Sequence, residues 1–195
     1  MAAREVTKYL KNMTDSNFRR DFIAYSDGSC DNLNPQRPGG AAYIIFDSEG
    51  NEIKRASKGF VGTSNNRMEI LAIMSIVNSL PPNSSVTIYS DSKYSINVLS
   101  GKWLASENLD QINRYRIICV TNNIKVTFQW VRGHAGDQYN ELCDNMARSE
   151  YSKMLKKVSK PKKKKPKQST WTNALEEQYY SCITTKDRRK SKRKK

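Results

Sequence analysis

The hydrophobic period of the chain changes once, at Asn65, and that change restricts the fold more than any other feature. Ahead of it lie three β-rich runs, FIAYS (22–26), AAYIIF (41–46) and EIKRASKGFV (52–61). The first runs into Asp27-Gly28-Ser29 and then CDNLNPQRPGG, which reads as loop because proline, glycine and asparagine crowd it. The second and third flank DSEGN, a turn. Three strands so connected predict an antiparallel meander.

Behind Asn65 the spacing becomes helical. NRMEILAIMSIVNSL places Met68, Leu71, Ala72 and Ile76 on one stripe, with Ile73 and Val77 widening it, and Pro81-Pro82 ends it. Asn65 or Asn66 is expected to cap this helix. VTIYS (86–90) reads as a fourth strand flowing into DSKYSINVLSG, a helix ended by Gly101. A less regular helix is expected over 107–121, a fifth strand at KVTFQWV (125–131) and a long helix from Gln138 to about Leu155. Three hairpin-connected strands followed by alternating helices and strands imply a mixed sheet with helices packed against it.

Two aspartates end strands in this reading. Asp27 closes the first and Asp91 the fourth, at the rim where ligand sites of α/β sheets form. A buried strand disfavours a charged carboxylate. If strands one and four are neighbours, the two carboxylates converge and repel unless a cation or proton intervenes. Glu69 falls in the first turn of its helix, and Asp144 lies on the last helix. Each has a structural alternative: Asp27 an Asx-turn residue, Glu69 a capping-box partner, Asp91 a helix cap, Asp144 a solvated surface group. Hard divalent ions favour such oxygen ligands, and a pair of them suits phosphodiester hydrolysis.

The segments YSDGSC (25–30) with PGG downstream, NNRMEILA (65–72), YSDSKY (89–94) and VRGHAGDQYNELCDNMA (131–147) resemble the type 1 ribonuclease H family in order and spacing. The resemblance spans about residues 22–152. It implies an α/β, ribonuclease H-like fold: a five-stranded mixed sheet with a three-strand antiparallel meander, flanked by helices, followed by a basic C-terminal tail. It implies endonucleolytic hydrolysis of the RNA strand of an RNA–DNA hybrid by two metal ions, giving 5′-phosphate and 3′-hydroxyl ends. Magnesium is the implied cofactor, with manganese as the alternative ion. Residue by residue, Asp27, Glu69, Asp91 and Asp144 match the metal ligands. His134 matches a histidine associated with proton transfer and product release, chemistry suited to an imidazole. Glycines 133 and 136 beside it suggest a mobile loop. Gly28, Ser29, Cys30, Asn34, Asn65 and Asn66 match the surface that meets the hybrid's minor groove, where short amides can read 2′-hydroxyls. One of Asn65 and Asn66 is expected to cap and the other to reach substrate. Arg67 is expected to pair with a carboxylate and support the site. Trp103 resembles a tryptophan near the DNA-strand groove, whereas Trp130 alternates inward and reads as core.

The pattern departs from a bacterial form of the family in three places. The loop after Asp27 is slightly longer, with Gln36 and Arg37 ahead of Pro38. Lys93 stands where a glutamine is usual and can meet a phosphate. The stretch after Trp103, LASENLDQINRYR, lacks the basic helix-loop handle that many members use to grip the hybrid.

Charge supplies a candidate replacement. Residues 1–152 carry 17 basic and 16 acidic side chains, while residues 153–195 carry 17 and 3, so nearly all of the formal +15 lies in the tail. Three regions follow: a polar N-terminal extension (1–20) with room for a short helix, a catalytic domain (21–155) and a lysine- and arginine-rich tail (156–195), largely disordered by its composition. The tail can make salt-dependent phosphate contacts. KPKKKKPK also reads as a nuclear localisation signal, and a solvated tail that only aids solubility is the plainest reading. A monomer is expected. No segment approaches the apolar length of a membrane span, and MAAREVTKYLKNM does not read as a signal peptide, so an intracellular, cytoplasmic or nuclear setting is expected. The four cysteines lack metal-ligand spacing and read as small apolar residues. The competing functions are a non-catalytic hybrid-binding module, another nuclease of the same fold acting on DNA, and a structural basic protein. All four carboxylates are present, which argues against the first.

Overall fold

The computed structural model describes residues 20–159; the N-terminal helix expected within 1–20 and the tail from 160 onward lie outside the described residues. Five strands are β1 (Arg20–Cys30), β2 (Gly39–Asp47), β3 (Glu52–Phe60), β4 (Ser84–Ser90) and β5 (Ile124–Trp130). Four helices are α1 (Asn65–Ser79), α2 (Lys93–Leu99), α3 (Leu109–Thr121) and α4 (Gln138–Val158). The sheet order is β3-β2-β1-β4-β5, antiparallel through the meander and parallel from β1 to β4 to β5. The sheet, the meander and the neighbouring of strands one and four all match the sequence reading.

Alternation along β1 sends side chains to two differently covered faces. Phe22, Ala24 and Ser26 are buried on the face packed by α1, where the Tyr43 hydroxyl meets Ser79 Oγ at 3.0 Å. On the opposite face Tyr25, Ile44 and Phe46 pack against Tyr139, Leu142, Cys143 and Met146 of α4. The ring of Tyr139 lies 4.6 Å from Phe46 and 5.2 Å from Tyr25. Burying such rings and Cys143 anchors α4 through apolar area, each large side chain contributing about 2 kcal/mol. Cys143 serves as the small apolar residue expected, and Cys30, Cys119 and Cys143 are all free thiols.

The helix boundaries carry two corrections. Ser64, and neither Asn65 nor Asn66, caps α1: its hydroxyl accepts from the Arg67 N–H at 3.3 Å. Ser92, and not Asp91, caps α2, accepting from the Ser95 N–H. In both places a serine one residue away occupies the position from which a short side chain reaches the free N–H groups. α4 starts as expected under an Asp137 cap and runs three residues beyond Leu155, through Lys156, Lys157 and Val158. Trp130 is the third correction. It is 48% exposed and not core, standing as the last residue of the edge strand β5. Among the described residues no helix is long and apolar enough to cross a membrane.

Candidate functional site

The parallel pairing of β1 with β4 brings the first two carboxylates together. Its last aligned pair is Tyr25 with Tyr89, whose rings stack at 4.8 Å and 15°. Continuing that offset two residues sets Asp27 beside Asp91. The two positions share a sheet face, because parallel partners alternate in step. Asp27 is not at a strand end, as the sequence suggested. β1 continues to Cys30 against Gly39, while β4 stops at Ser90, so Asp27 belongs to a strand that outlasts its parallel neighbour. Its Oδ1 accepts from the Gly28 N–H at 2.8 Å.

Glu69 arrives from α1, as its fifth residue and therefore in the second turn, which rules out the capping-box role. Gly28 sets how closely α1 can approach. A Cβ there would stand 2.3 Å from Glu69 N and 2.6 Å from Met68 C, both backbone atoms. With Gly28 the helix lies directly on the strand, and one oxygen from each of Asp27, Glu69 and Asp91 falls within 4.8 Å of the others. The crowding is felt electrostatically. Burial, and then the charge of Asp91, pushes the Asp27 carboxyl up to about 8. Burial, and then Asp27 and Asp91, holds Glu69 well above the usual carboxylate range.

These residues fit a divalent cation. Glu69 Oε2 is buried without a hydrogen-bond partner among the described residues. A buried oxygen left unpaired is costly, and a hard cation bound by three carboxylates satisfies it while cancelling their repulsion.

α4 brings Asp144 in from the other face, close enough to Asp27 to add to the raising of its pKa. Its carboxylate is tied on both sides: Oδ1 accepts from Arg148 Nε at 2.7 Å, and Oδ2 lies 3.8 Å from His134 Nδ1. The solvated surface role considered for Asp144 therefore does not hold. His134 is exposed, in the left-handed region at φ 53°, on the loop between β5 and α4. That loop is pressed onto the site at Gly133, where a Cβ would lie 2.4 Å from Asp91 Oδ2. Close passage over a carboxylate, and not mobility alone, accounts for glycine there.

The remaining expected residues are spread around this centre. Gly28, Ser29 and Cys30 continue β1 past Asp27. The Asn34 side-chain oxygen accepts from the Gln36 N–H at 2.9 Å, an exposed turn contact within its own loop. Asn65 is partly buried, its N–H donating to Asn32 Oδ1 at 3.2 Å, and Asn66 is exposed. Arg67 pairs with Asp110 of α3 and with none of the four carboxylates. Lys93 stands 4.6 Å over the Trp130 ring. Trp103 lies half-exposed in the connection from α2 to α3.

Three participants escaped the sequence reading. Trp130 donates its indole N–H to the Asp91 carbonyl at 3.1 Å. Asn32 ties the β1–β2 loop to the start of α1. Arg148 grips Asp144, and here the four-residue spacing on a helix was a usable signal.

The sequence profile described as RNase H matches residues 19–152. A ribonuclease H of Nitratidesulfovibrio vulgaris (strain DP4) is 38% identical over 145 residues, covering 68% of this chain and 90% of the relative. A ribonuclease HI of Synechocystis is 35% identical over 141 residues, covering 65% and 85%. Among solved structures, the N-terminal RNase H domain of a Mycobacterium tuberculosis protein superposes with a TM-score of 0.62 at 15% identity, covering 72% of this chain and 99% of that one. LC11-RNase H1, solved in complex with an RNA/DNA hybrid, gives 0.59 at 18% identity, covering 69% and 99%. The profile and the curated relatives agree with the acidic rim built from β1, β4 and α1: the chain belongs to the type 1 ribonuclease H family.

Proposed function

We propose that the protein is an endonuclease that hydrolyses the RNA strand of RNA–DNA hybrids, leaving 5′-phosphate and 3′-hydroxyl ends. The observation that carries this reading is the convergence of Asp27, Glu69 and Asp91 within 4.8 Å at the rim of the sheet, in a member of this family. The hybrid bound by the structural neighbour LC11-RNase H1 supports the substrate class.

In this proposal Asp27, Glu69, Asp91 and Asp144 hold the metal, magnesium or manganese. A pair of such ions, when bound, activates water and stabilises the leaving oxygen of an in-line displacement. The chain's own residues do the rest. Burial of Asp27 and Glu69 keeps bulk water from competing for the ligand oxygens. The loop at Gly133 holds His134 beside Asp144, where its imidazole can carry a proton to or from the departing strand. Cys30, Asn65 and Asn66 take the minor groove, and Asn34, whose oxygen accepts from the Gln36 N–H, keeps its amide N–H groups for the hybrid. Lys93 is assigned to a phosphate. Its ammonium lies over the ring of Trp130, whose indole N–H in turn meets the Asp91 carbonyl. Trp103 is assigned to the DNA strand.

The basic tail is proposed to supply the grip that the missing handle provides elsewhere in the family. A chain ending near Ser159 is expected to keep turnover but bind hybrid more weakly, with a shallower salt dependence. Equal affinity across a salt titration overturns that assignment.

The main test is cleavage of labelled RNA–DNA hybrid, duplex DNA and duplex RNA with magnesium or manganese, beside an Asp91→Asn control. Hybrid alone should be cut, and the control should lose about a thousandfold or more in rate. Equal cutting of duplex DNA overturns the reading in favour of a DNA-directed nuclease. Hybrid binding without cutting by the wild type favours a binding module.

A further inference from the structure

The four carboxylates are not equivalent. Three converge on one another, and the fourth has a cation already. Arg148 lies one turn beyond Asp144 on α4, and its Nε donates to Asp144 Oδ1 at 2.7 Å. Its Nη2 sits 3.4 Å from His134 Nε2, while the other face of the same imidazole looks at Asp144 Oδ2 from 3.8 Å. Arginine, histidine and aspartate form a closed triangle at the edge of the site.

An i,i+4 ion pair on an open helix face is worth only a few tenths of a kcal/mol and needs no function. This one differs in where its anion lies. The Asp144 side chain is 17% exposed, against 57% for Arg148, and it adds charge to Asp27. The guanidinium therefore holds a carboxylate of the site itself. It occupies one acceptor site on Asp144 Oδ1 and places a positive charge beside a carboxylate that a divalent ion would also need. A guanidinium stays charged at any accessible pH, so this competition is permanent.

We propose that Arg148 is a positioning residue that weakens the hold of Asp144 on a divalent cation, so that the Asp144 end of the metal site fills last. The inference rests on the metal-site reading above and adds an order of filling to it. The Asp27–Glu69–Asp91 group, with an unpartnered buried oxygen on Glu69, takes an ion readily. At Asp144 an ion meets the charge of Arg148 and competes with its hydrogen bond to Oδ1.

The experiment is Mn2+ binding to the full-length protein without nucleic acid, followed by electron paramagnetic resonance and by calorimetry. The proteins are the wild type, Arg148→Gln, Arg148→Lys, Asp27→Asn and the double variant Arg148→Gln/Asp144→Asn, with circular dichroism to verify folding. Arg148→Gln should tighten the weaker Mn2+ site by about tenfold, the scale set by one charge acting on a dication at contact range. Arg148→Lys, which keeps the charge, should stay near the wild type. The double variant should lose the gain. Hybrid cleavage by Arg148→Gln should saturate at lower Mn2+ than cleavage by the wild type.

Wild-type Mn2+ binding that Asp27→Asn weakens, together with no tightening in Arg148→Gln, overturns this inference alone. Tightening that survives in the double variant also overturns it, since the effect then bypasses Asp144. A wild type that binds no Mn2+ overturns the metal reading and this inference together.

Discussion

The two sides of the acidic site are built on different principles. On one side Asp27 and Asp91 are fixed by the register of two parallel strands, and Glu69 by a helix seated directly on Gly28. On the other side Asp144, His134 and Arg148 are held to one another by polar contacts at the edge of α4 and its preceding loop. The first side is dry, crowded and strongly self-repelling. The second is wetter and internally neutralised. Rigid backbone can hold like charges together because it has no softer way to relax, while side-chain ion pairs can be exchanged as charge arrives and leaves. The proposed hydrolysis of a polyanion calls for both properties.

That contrast can be broken at its rigid side first. Gly28→Ala forces a methyl group into the backbone of α1, which cannot step aside as a side chain can. It should cost about 3 kcal/mol in a denaturant melt. Wild-type stability in that variant would mean that α1 is not clamped to β1. At the soft side, His134→Ala should lower kcat by about a hundredfold while leaving the melting temperature unchanged, because the ring is exposed. A matching loss of stability would show that the histidine holds the loop and does not only move protons.

The self-repulsion has its own signature in cation-free protein. Unfolded, Asp27 ionises near its ordinary value of 3.8; folded, it keeps its proton up to about 8. The folded state therefore binds the extra proton across that window, so stability should fall as pH rises from about 4 to about 8 and level off above. Asp27→Asn should remove that part of the slope and raise the cation-free melting temperature at pH 8 by several degrees. A lower melting temperature at pH 8 would contradict the crowding. The smallest effect is expected remote from both sides. Ser64→Ala, which uncaps α1, should cost about 1 kcal/mol, and the same loss from Asn66→Ala instead would move the cap back to the asparagine.

The order of elements and the grouping of Asp27, Glu69 and Asp91 were legible because each depends on local pattern: a change of period, or a short motif in register. The errors fall where the deciding partner is distant. Arg67 was expected to pair with a carboxylate in support of the site; it does pair with one, but with Asp110, 43 residues away and outside the acidic group, which no local spacing reports. β1 was cut short at Asp27 because Gly28 and Ser29 resemble a turn. In the fold Gly39, Gly40 and Ala41 offer a small-residue strand for them to pair with. The cap of α1 went to the wrong neighbour because Ser64, Asn65 and Asn66 are all competent caps, and only backbone position selects among them. Trp130 alternates in step with Ile124, Val126 and Phe128 but is half-exposed at the end of an edge strand, since alternation gives direction and not depth.

The stacked pair Tyr25 and Tyr89 has a further consequence. A parallel strand that slips by one residue turns all of its side chains to the opposite face. A slipped β4 would send Asp91 to the α1 side and break the tyrosine stack in the same movement. The acidic group therefore has no partly correct version: a chain whose strands mispair loses the convergence of Asp27 and Asp91 altogether. Under the function proposed above, cleavage would then report completed folding.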